Sequence, residues 1–320
     1  MTQSPKRVLL LGATGTAGAG ALRALHAAGH GVTCITRPGR AGALPKGTRV
    51  IEGALSDAAF LAQTMAPGFD AVISCLASRS GAPEDAWRID HAAHMGALHA
   101  ALTAEIPHFI QLSAICVQKP MLEFQRAKLA FEAALTAAPI THSIIRPTAF
   151  FKSLSGQVAR LKAGKPFLVF GDGMVTACKP ISDDDLGRYI AAGLTDESLQ
   201  NRILPIGGPG PAITPMDQGA ALFERLNLAP KYKRVPVGMM DAIIGGLSLT
   251  GRISPKARAK AELARIGRYY ATESMLLWDA EAQRYDAEAT PEYGSDTLFD
   301  FYDDLISGRA KIDLADHAVF

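Results

Sequence analysis

The sequence predicts an α/β protein: a doubly wound parallel sheet with a smaller carboxy-terminal lobe. Three observations carry that prediction. Short Val/Ile/Leu-rich runs alternate with Ala/Leu-rich helical stretches through the first half, the first run leads straight into a glycine-rich turn, and the alternation fails after Pro147.

The elements follow in order. Residues 7–12 (RVLLLG) form a continuous apolar run, as expected of a strand buried on both faces. Residues 16–29 read as a helix ending at glycine. Further strands are expected at 31–36, 49–52, 71–76, 108–113 and 142–146, with helices at 56–65, 83–104 and 122–137 between most of them. Repeated strand–helix–strand units imply parallel strands covered by helices on both faces. Beyond Pro147, Gly171-Asp172-Gly173 marks a turn, and Ser182 is expected to cap a helix with Asp183, Asp184 and Asp185 in its first turn. Residues 1–149 are therefore assigned to one domain, with returning segments near 176–209, and residues 150–320 mainly to the second lobe.

Composition narrows the class. A chain of 320 residues is long for one core, and 48% hydrophobic with 20% charged residues excludes extended disorder. The net charge of +2 offers no electrostatic case for nucleic acid. Cys34, Cys75, Cys116 and Cys178 are widely spaced with no C-x-x-C, which argues against zinc or a disulfide framework and suits a reducing cytoplasm. His91, His94 and His99 share a helix without a convergent acid or cysteine, so no metal site is expected. The first apolar run is too short for a signal peptide, and no stretch is long enough to span a membrane. Arg252, Lys256, Arg258, Lys260, Arg265 and Arg268 gather before a strongly acidic stretch at 269–304. Two solvated faces that pair with each other are the expectation, with an anionic-ligand or membrane-surface patch as the alternative.

The segment Gly12-Ala13-Thr14-Gly15-Thr16-Ala17-Gly18 joins the first strand to the first helix. Small residues there let a pyrophosphate approach the backbone, whose free N–H groups and helix dipole attract it. A dinucleotide is the expected ligand and a Rossmann-type sheet the expected scaffold. The second strand ends Thr36-Arg37-Pro38-Gly39-Arg40, with no acid to accept from a ribose 2′-hydroxyl. Thr36 and Arg37, helped by Arg40, suit a 2′-phosphate, so NADPH is expected over NADH.

The G-x-x-G-x-x-G spacing resembles the short-chain dehydrogenase/reductase superfamily in its extended or atypical branch. Carbonyl-reducing members carry Tyr-x-x-x-Lys; the matching run here is Phe124-Gln125-Arg126-Ala127-Lys128, with the lysine kept and the phenol lost. Lys128 lies within an apolar stripe of Phe124, Ala127, Phe131 and Leu135 and needs a partner, either Glu132 four residues on or the hydroxyls of the cofactor ribose. Losing the phenol argues against ketone reduction. It is no obstacle when the acceptor is a carbon–carbon double bond whose conjugated system absorbs the charge. The alternative is a protein that binds NADP without catalysis, as a regulator.

Residues 112–120, 123–128, 145–157 and 266–275, with the terminal Asp316-His317-Ala318-Val319-Phe320, are similar to the NADPH-dependent 8-vinyl reductases of chlorophyll and bacteriochlorophyll biosynthesis. The resemblance implies reduction of the 8-vinyl group of a magnesium tetrapyrrole, divinyl chlorophyllide or protochlorophyllide, to ethyl; reduction of another conjugated alkene is the remaining alternative. It implies NADPH on Gly12, Thr14, Gly15, Thr16, Ala17, Gly18 and Arg37, with Ala77, Ser78 and Arg79 alongside. Ser113 and Lys128 would flank the nicotinamide ribose. Pro147 and Thr148 would close over the ring. Phe150 and Phe151 would stack on the macrocycle, with core packing as their alternative, and Lys152 would meet a propionate. Cys116, Lys128 and an ordered water are candidate proton donors, none singled out. Met239, Met240, Ile243, Ile244 and Leu247 read first as core, with a pigment cavity or a membrane contact as alternatives. A cytoplasmic protein, peripheral to the photosynthetic membrane at most, is the expectation.

Overall fold

The computed structural model describes residues 4–79, 82–251 and 254–312. Seven parallel strands form the sheet: β1 (Arg7–Leu11), β2 (Gly31–Thr36), β3 (Arg49–Glu52), β4 (Ala71–Ser74), β5 (His108–Leu112), β6 (Thr141–Pro147) and β8 (Arg202–Ile206), in the order β3-β2-β1-β4-β5-β6-β8. Both faces are buried because alternate residues of one apolar run serve different layers. Val8 and Leu10 pack with α1 (Thr16–Ala27) and α8 (Asp183–Ala192). Leu9 and Leu11 pack with α2 (Ala58–Met65), α4 (His94–Thr103) and α5 (Glu123–Ala137). This is the expected doubly wound architecture. The strand order reverses between β1 and β4, where such sheets open a ligand crevice at their carboxyl ends.

The helix expected at 83–104 is continuous but irregular. It begins as α3 (Pro83–Ala86), becomes π-helical over Trp87–Ala93 and continues as α4. Such a bulge shifts the phase of every later side chain.

After β6 the chain builds the second lobe from α6 (Phe151–Leu154), α7 (Gly156–Lys162), β7 (Phe167–Phe170), α9 (Pro215–Arg225), β9 (Tyr232–Val235), α10 (Val237–Thr250), α11 (Pro255–Thr272), the hairpin β10 (Leu277–Asp279) and β11 (Arg284–Asp286), and α12 (Leu298–Ser307). Its core joins Phe151, Phe167, Phe223 and Tyr302 to Ile115 and Cys116 behind β5. Between these segments α8 and β8 return to the sheet. A Cβ on Gly20 of α1 would sit 2.0 Å from the Asp183 carbonyl, and one on Gly187 of α8 2.4 Å from Gly20, so two bare backbones cross here. Ser182 caps α8 by accepting from the Asp185 N–H at 2.9 Å, as expected. Asp185 does more: fully buried, it accepts from the N–H groups of Ser295 and Asp296 and so fastens the lobe's later chain to α8.

Two expectations are corrected. The apolar stretch at 239–247 is not core: no residue of α10 is buried, because the helix lies on α11 at the rim of the lobe. Nor, among the described residues, do the basic and acidic stretches pair with each other. Arg258 meets Glu84, Arg265 meets Glu262 and Arg268 meets Asp241, while Glu273 takes Lys119 and Asp303 takes Arg225. The helix geometry turns the arginines toward α3 and α10 instead. Arg252 and the terminal 316–320 block lie outside the described residues.

Two buried histidines make the fold acid-sensitive. His94 Nδ1 donates to the Ile89 carbonyl, and its Nε2 accepts from Ser74 at 2.9 Å. Burial, then Lys128, lowers its pKa to about 4; burial, then His142, lowers that of His108 to about 4. Below about pH 6.5 the unfolded chain binds protons that the folded chain refuses, so stability falls as pH falls toward 4. Between pH 7 and 5 the expected loss is about 2 kcal/mol per histidine. Urea unfolding at the two pH values checks this, and His108→Asn should make the loss smaller by about one histidine's share.

Candidate functional site

The turn after β1 is shaped by two glycines. Gly12 has φ +80°, and a Cβ there would lie 2.6 Å from the Cys75 carbonyl at the end of β4. A Cβ on Gly18 would lie 2.1 Å from the Gly12 carbonyl, so the loop folds flat on its own helix. Gly15 closes the turn through its N–H to Gly12 at 3.0 Å, and a Cβ there would meet only the Gly12 carbonyl at 3.4 Å. No side chain caps α1, so its first N–H groups remain available to an anion. Thr14 and Thr16 are half-buried beside them, and Ala17 is buried.

At the end of β2, Thr36 is buried and its Oγ1 has no partner, while Arg37 is exposed next to it. The nearest strand-end acid, Glu52, accepts from the backbone N–H groups of Arg40 and Ala41 through one oxygen and holds the loop in place. An orphaned buried hydroxyl, an exposed guanidinium and an uncapped helix fit the adenosine end of a phosphorylated dinucleotide.

The second half of the site lies behind β4 and β5. Lys128 is buried and makes an ion pair with Asp90 at 2.9 Å, itself fully buried. Of the two expected partners Glu132 is not the one, and Asp90 satisfies the buried ammonium before any ribose arrives. Asp90 also faces the N–H of Ser78 at 3.4 Å through both oxygens, so one carboxylate ties the loop after β4 to the lysine on α5. The π-helical turn brings Asp90 inward. Ala77 is exposed at the rim of that loop. Glu132, the other expected partner, accepts from Ser113 and pairs with Arg146 on β6, which fixes the buried Ser113 at the end of β5.

Around Lys128 stand Cys75, His94 and Cys116, each of which feels its charge. Burial pushes the Cys116 thiol up against the lowering effects of Gln125, Lys128 and Tyr270. Cys116 is also the meeting point with the second lobe. Its carbonyl accepts from Tyr269 and from Gln125, each at 3.0 Å, and its thiol shares a hydrogen bond with the Tyr270 hydroxyl. Tyr270 is 42% exposed as a whole residue, and desolvation of its phenol raises the pKa well above the usual value.

The remaining residues line the other wall. Pro147 ends β6, and Thr148 is held by the Ile206 carbonyl and donates its hydroxyl to Lys179. Phe150 is half-buried and bridges to Ile181. Phe151 is 3% exposed and packs on Phe301, so it belongs to the lobe's core rather than to an open wall; the first turn of α6 points it inward. Lys152 is half-buried near Asp183. A cavity of about 580 Å³ opens instead beside Arg7, Gly31 and Arg49, the first residues of β1, β2 and β3. That is the opposite edge of the sheet, away from every group described above.

Asp90 and Tyr270 escaped sequence reasoning. The acid stands 38 positions before its lysine, within a π-helical segment that departs from the regular helical phase; the tyrosine arrives from the far end of the chain.

Residues 12–197 match the NAD(P)H-binding family. The chain is 45% identical to the chloroplastic divinyl chlorophyllide a 8-vinyl-reductase of Oryza sativa subsp. indica, over 100% of this chain and 84% of that protein. It is 44% identical to the enzyme of that name from Zea mays, over 99% and 84%. The NADPH-dependent quinone oxidoreductase of Escherichia coli superposes with a TM-score of 0.68 at 16% identity, covering 93% of this chain and 99% of that one, which is a likeness of fold alone.

Proposed function

The chain belongs to the divinyl chlorophyllide a 8-vinyl reductases, and from that premise we propose that it reduces the 8-vinyl group of a magnesium tetrapyrrole, divinyl chlorophyllide or protochlorophyllide, to ethyl with NADPH. The observation that carries the reading is a phenylalanine at 124 beside a retained, buried Lys128. That combination keeps a cofactor-positioning cation and gives up the phenol that a ketone would need.

Vinyl to ethyl takes one hydride and one proton. NADPH, when bound, supplies the hydride. The residues expected to hold it are Gly12, Thr14, Gly15, Thr16, Ala17 and Gly18 for the pyrophosphate, Thr36 and Arg37 for the 2′-phosphate, Ala77 and Ser78 along its length, and Ser113, Lys128 and Pro147 toward the nicotinamide. Asp90 and Glu132 act one step back, fixing Lys128 and Ser113 before any ligand arrives. Phe150 and Lys152 face the substrate. The proton is left to Cys116, Lys128 or an ordered water, the three candidates that the sequence offers. In this reading the protein is cytoplasmic and meets the photosynthetic membrane peripherally at most; among the described residues no helix is long and apolar enough to cross a membrane.

Purified protein supplied with NADPH and divinyl chlorophyllide should oxidise the cofactor and form the ethyl product in equal amounts. Cofactor binding without turnover would identify a regulator instead. Arg37→Glu should weaken NADPH by about tenfold or more relative to NADH; equal losses of both, measured by fluorescence titration, would remove Arg37 from the 2′-phosphate.

A further inference from the structure

A helix that is apolar on every side is ordinarily buried. α10 is apolar on every side and has no buried residue. Met240, Ile244 and Leu247 are half-buried on the side that lies against α11, anchored by Ser248 with Arg265 at 2.7 Å and by Asp241 with Arg268. The opposite side presents Met239, Ala242, Ile243, Gly246 and Leu249, with Met239, Ile243 and Leu249 49%, 48% and 64% exposed. Asp241 is the helix's only charge, and Arg268 neutralises it.

The chain on both sides of this helix is basic. Lys231, Lys233 and Arg234 precede α10, and Lys256 and Lys260 follow it on α11. All five are exposed and make no ion pair among the described residues. A helix of 14 residues is about 21 Å long, too short to cross a bilayer but long enough to lie in its surface.

We infer that α10 is a docking surface for an anionic lipid bilayer: its outer face enters the boundary between headgroups and acyl chains, and the flanking cations rest on lipid phosphates. The inference deepens the membrane-surface part of the proposed function and is independent of the reaction.

Full-length protein should sediment with vesicles containing phosphatidylglycerol, less so at high salt, and remain in solution with phosphatidylcholine alone. Met239→Glu combined with Ile243→Glu should abolish sedimentation, and Lys256→Gln with Lys260→Gln should weaken it roughly 25-fold, about fivefold for each lysine. Because these side chains are exposed, both variants should keep the parent melting temperature and NADPH affinity. Wild-type protein left in the supernatant, or the glutamate variant binding like wild type, would overturn the proposal. So would equal binding to phosphatidylcholine, or a dimer that the glutamate variant dissolves in a protein that ignores vesicles. Turnover of detergent-dispersed pigment, read separately, distinguishes this failure from that of the reductase assignment.

Discussion

Asp90→Ala should lose roughly 3–5 kcal/mol of stability, the largest effect expected of any single polar substitution in the sheet domain. The carboxylate is completely buried, its partner Lys128 is buried with it, and removing the acid strands an ammonium among Cys75, His94 and Cys116. Replacing both charges, as Asp90→Leu with Lys128→Met, should recover most of that stability, because a buried pair and an apolar pair of similar size differ little. Turnover should not recover. The stable double variant is expected to run about 100-fold below wild type in kcat, since the cation that orients the nicotinamide ribose is gone and Ser113 is left without it. Urea unfolding and steady-state kinetics on all three variants separate the two roles; a double variant that regained full activity would reduce the pair to scaffold.

Gly18→Ala should come next, lowering stability by about 1–3 kcal/mol and NADPH affinity by roughly tenfold or more. The added methyl would meet Gly12 and Ala13 backbone atoms at 2.1–2.9 Å, none of which can rotate away, so the whole turn after β1 must shift. Gly15→Ala is the control. Its methyl has only one protein neighbour, at 3.4 Å, so the fold should keep its stability. A loss of NADPH affinity there, without unfolding, would reflect the ligand's own approach to the backbone. Equal stability losses in the two variants, by thermal unfolding, would contradict the geometry of the turn.

Much of the sheet was legible because parallel strands buried on both sides are written as unbroken apolar runs. The run at 7–12 contains the whole of β1, and even the edge strand β3, half-buried with charged ends, matches the expected 49–52 residue for residue. Pairing in the polar layer was not legible in the same way. Sequence spacing offers Glu132 to Lys128 at i, i+4, yet Glu132 turns to Arg146 and Ser113, and Lys128 reaches another helix. Regular helical periodicity over 83–104 cannot single out Asp90, because the π-helical turn alters the count on which the periodicity rests. α10 failed for the opposite reason. Met239 and Ile243 look like core in any local window, and only the tertiary structure shows that none of the described residues covers them.

The bare crossing of α1 and α8 has a consequence for how the molecule comes into being. During synthesis the phosphate-loop helix must wait, one flank unroofed, until Gly187 has left the ribosome, and β8 completes the edge later still. A fragment truncated at residue 149 should emerge sticky and chaperone-bound rather than as a small nucleotide-binding module, since Ala21, Leu25 and Ile190 share one seam. The cofactor half therefore cannot be transplanted without carrying residues from well beyond the midpoint of the chain.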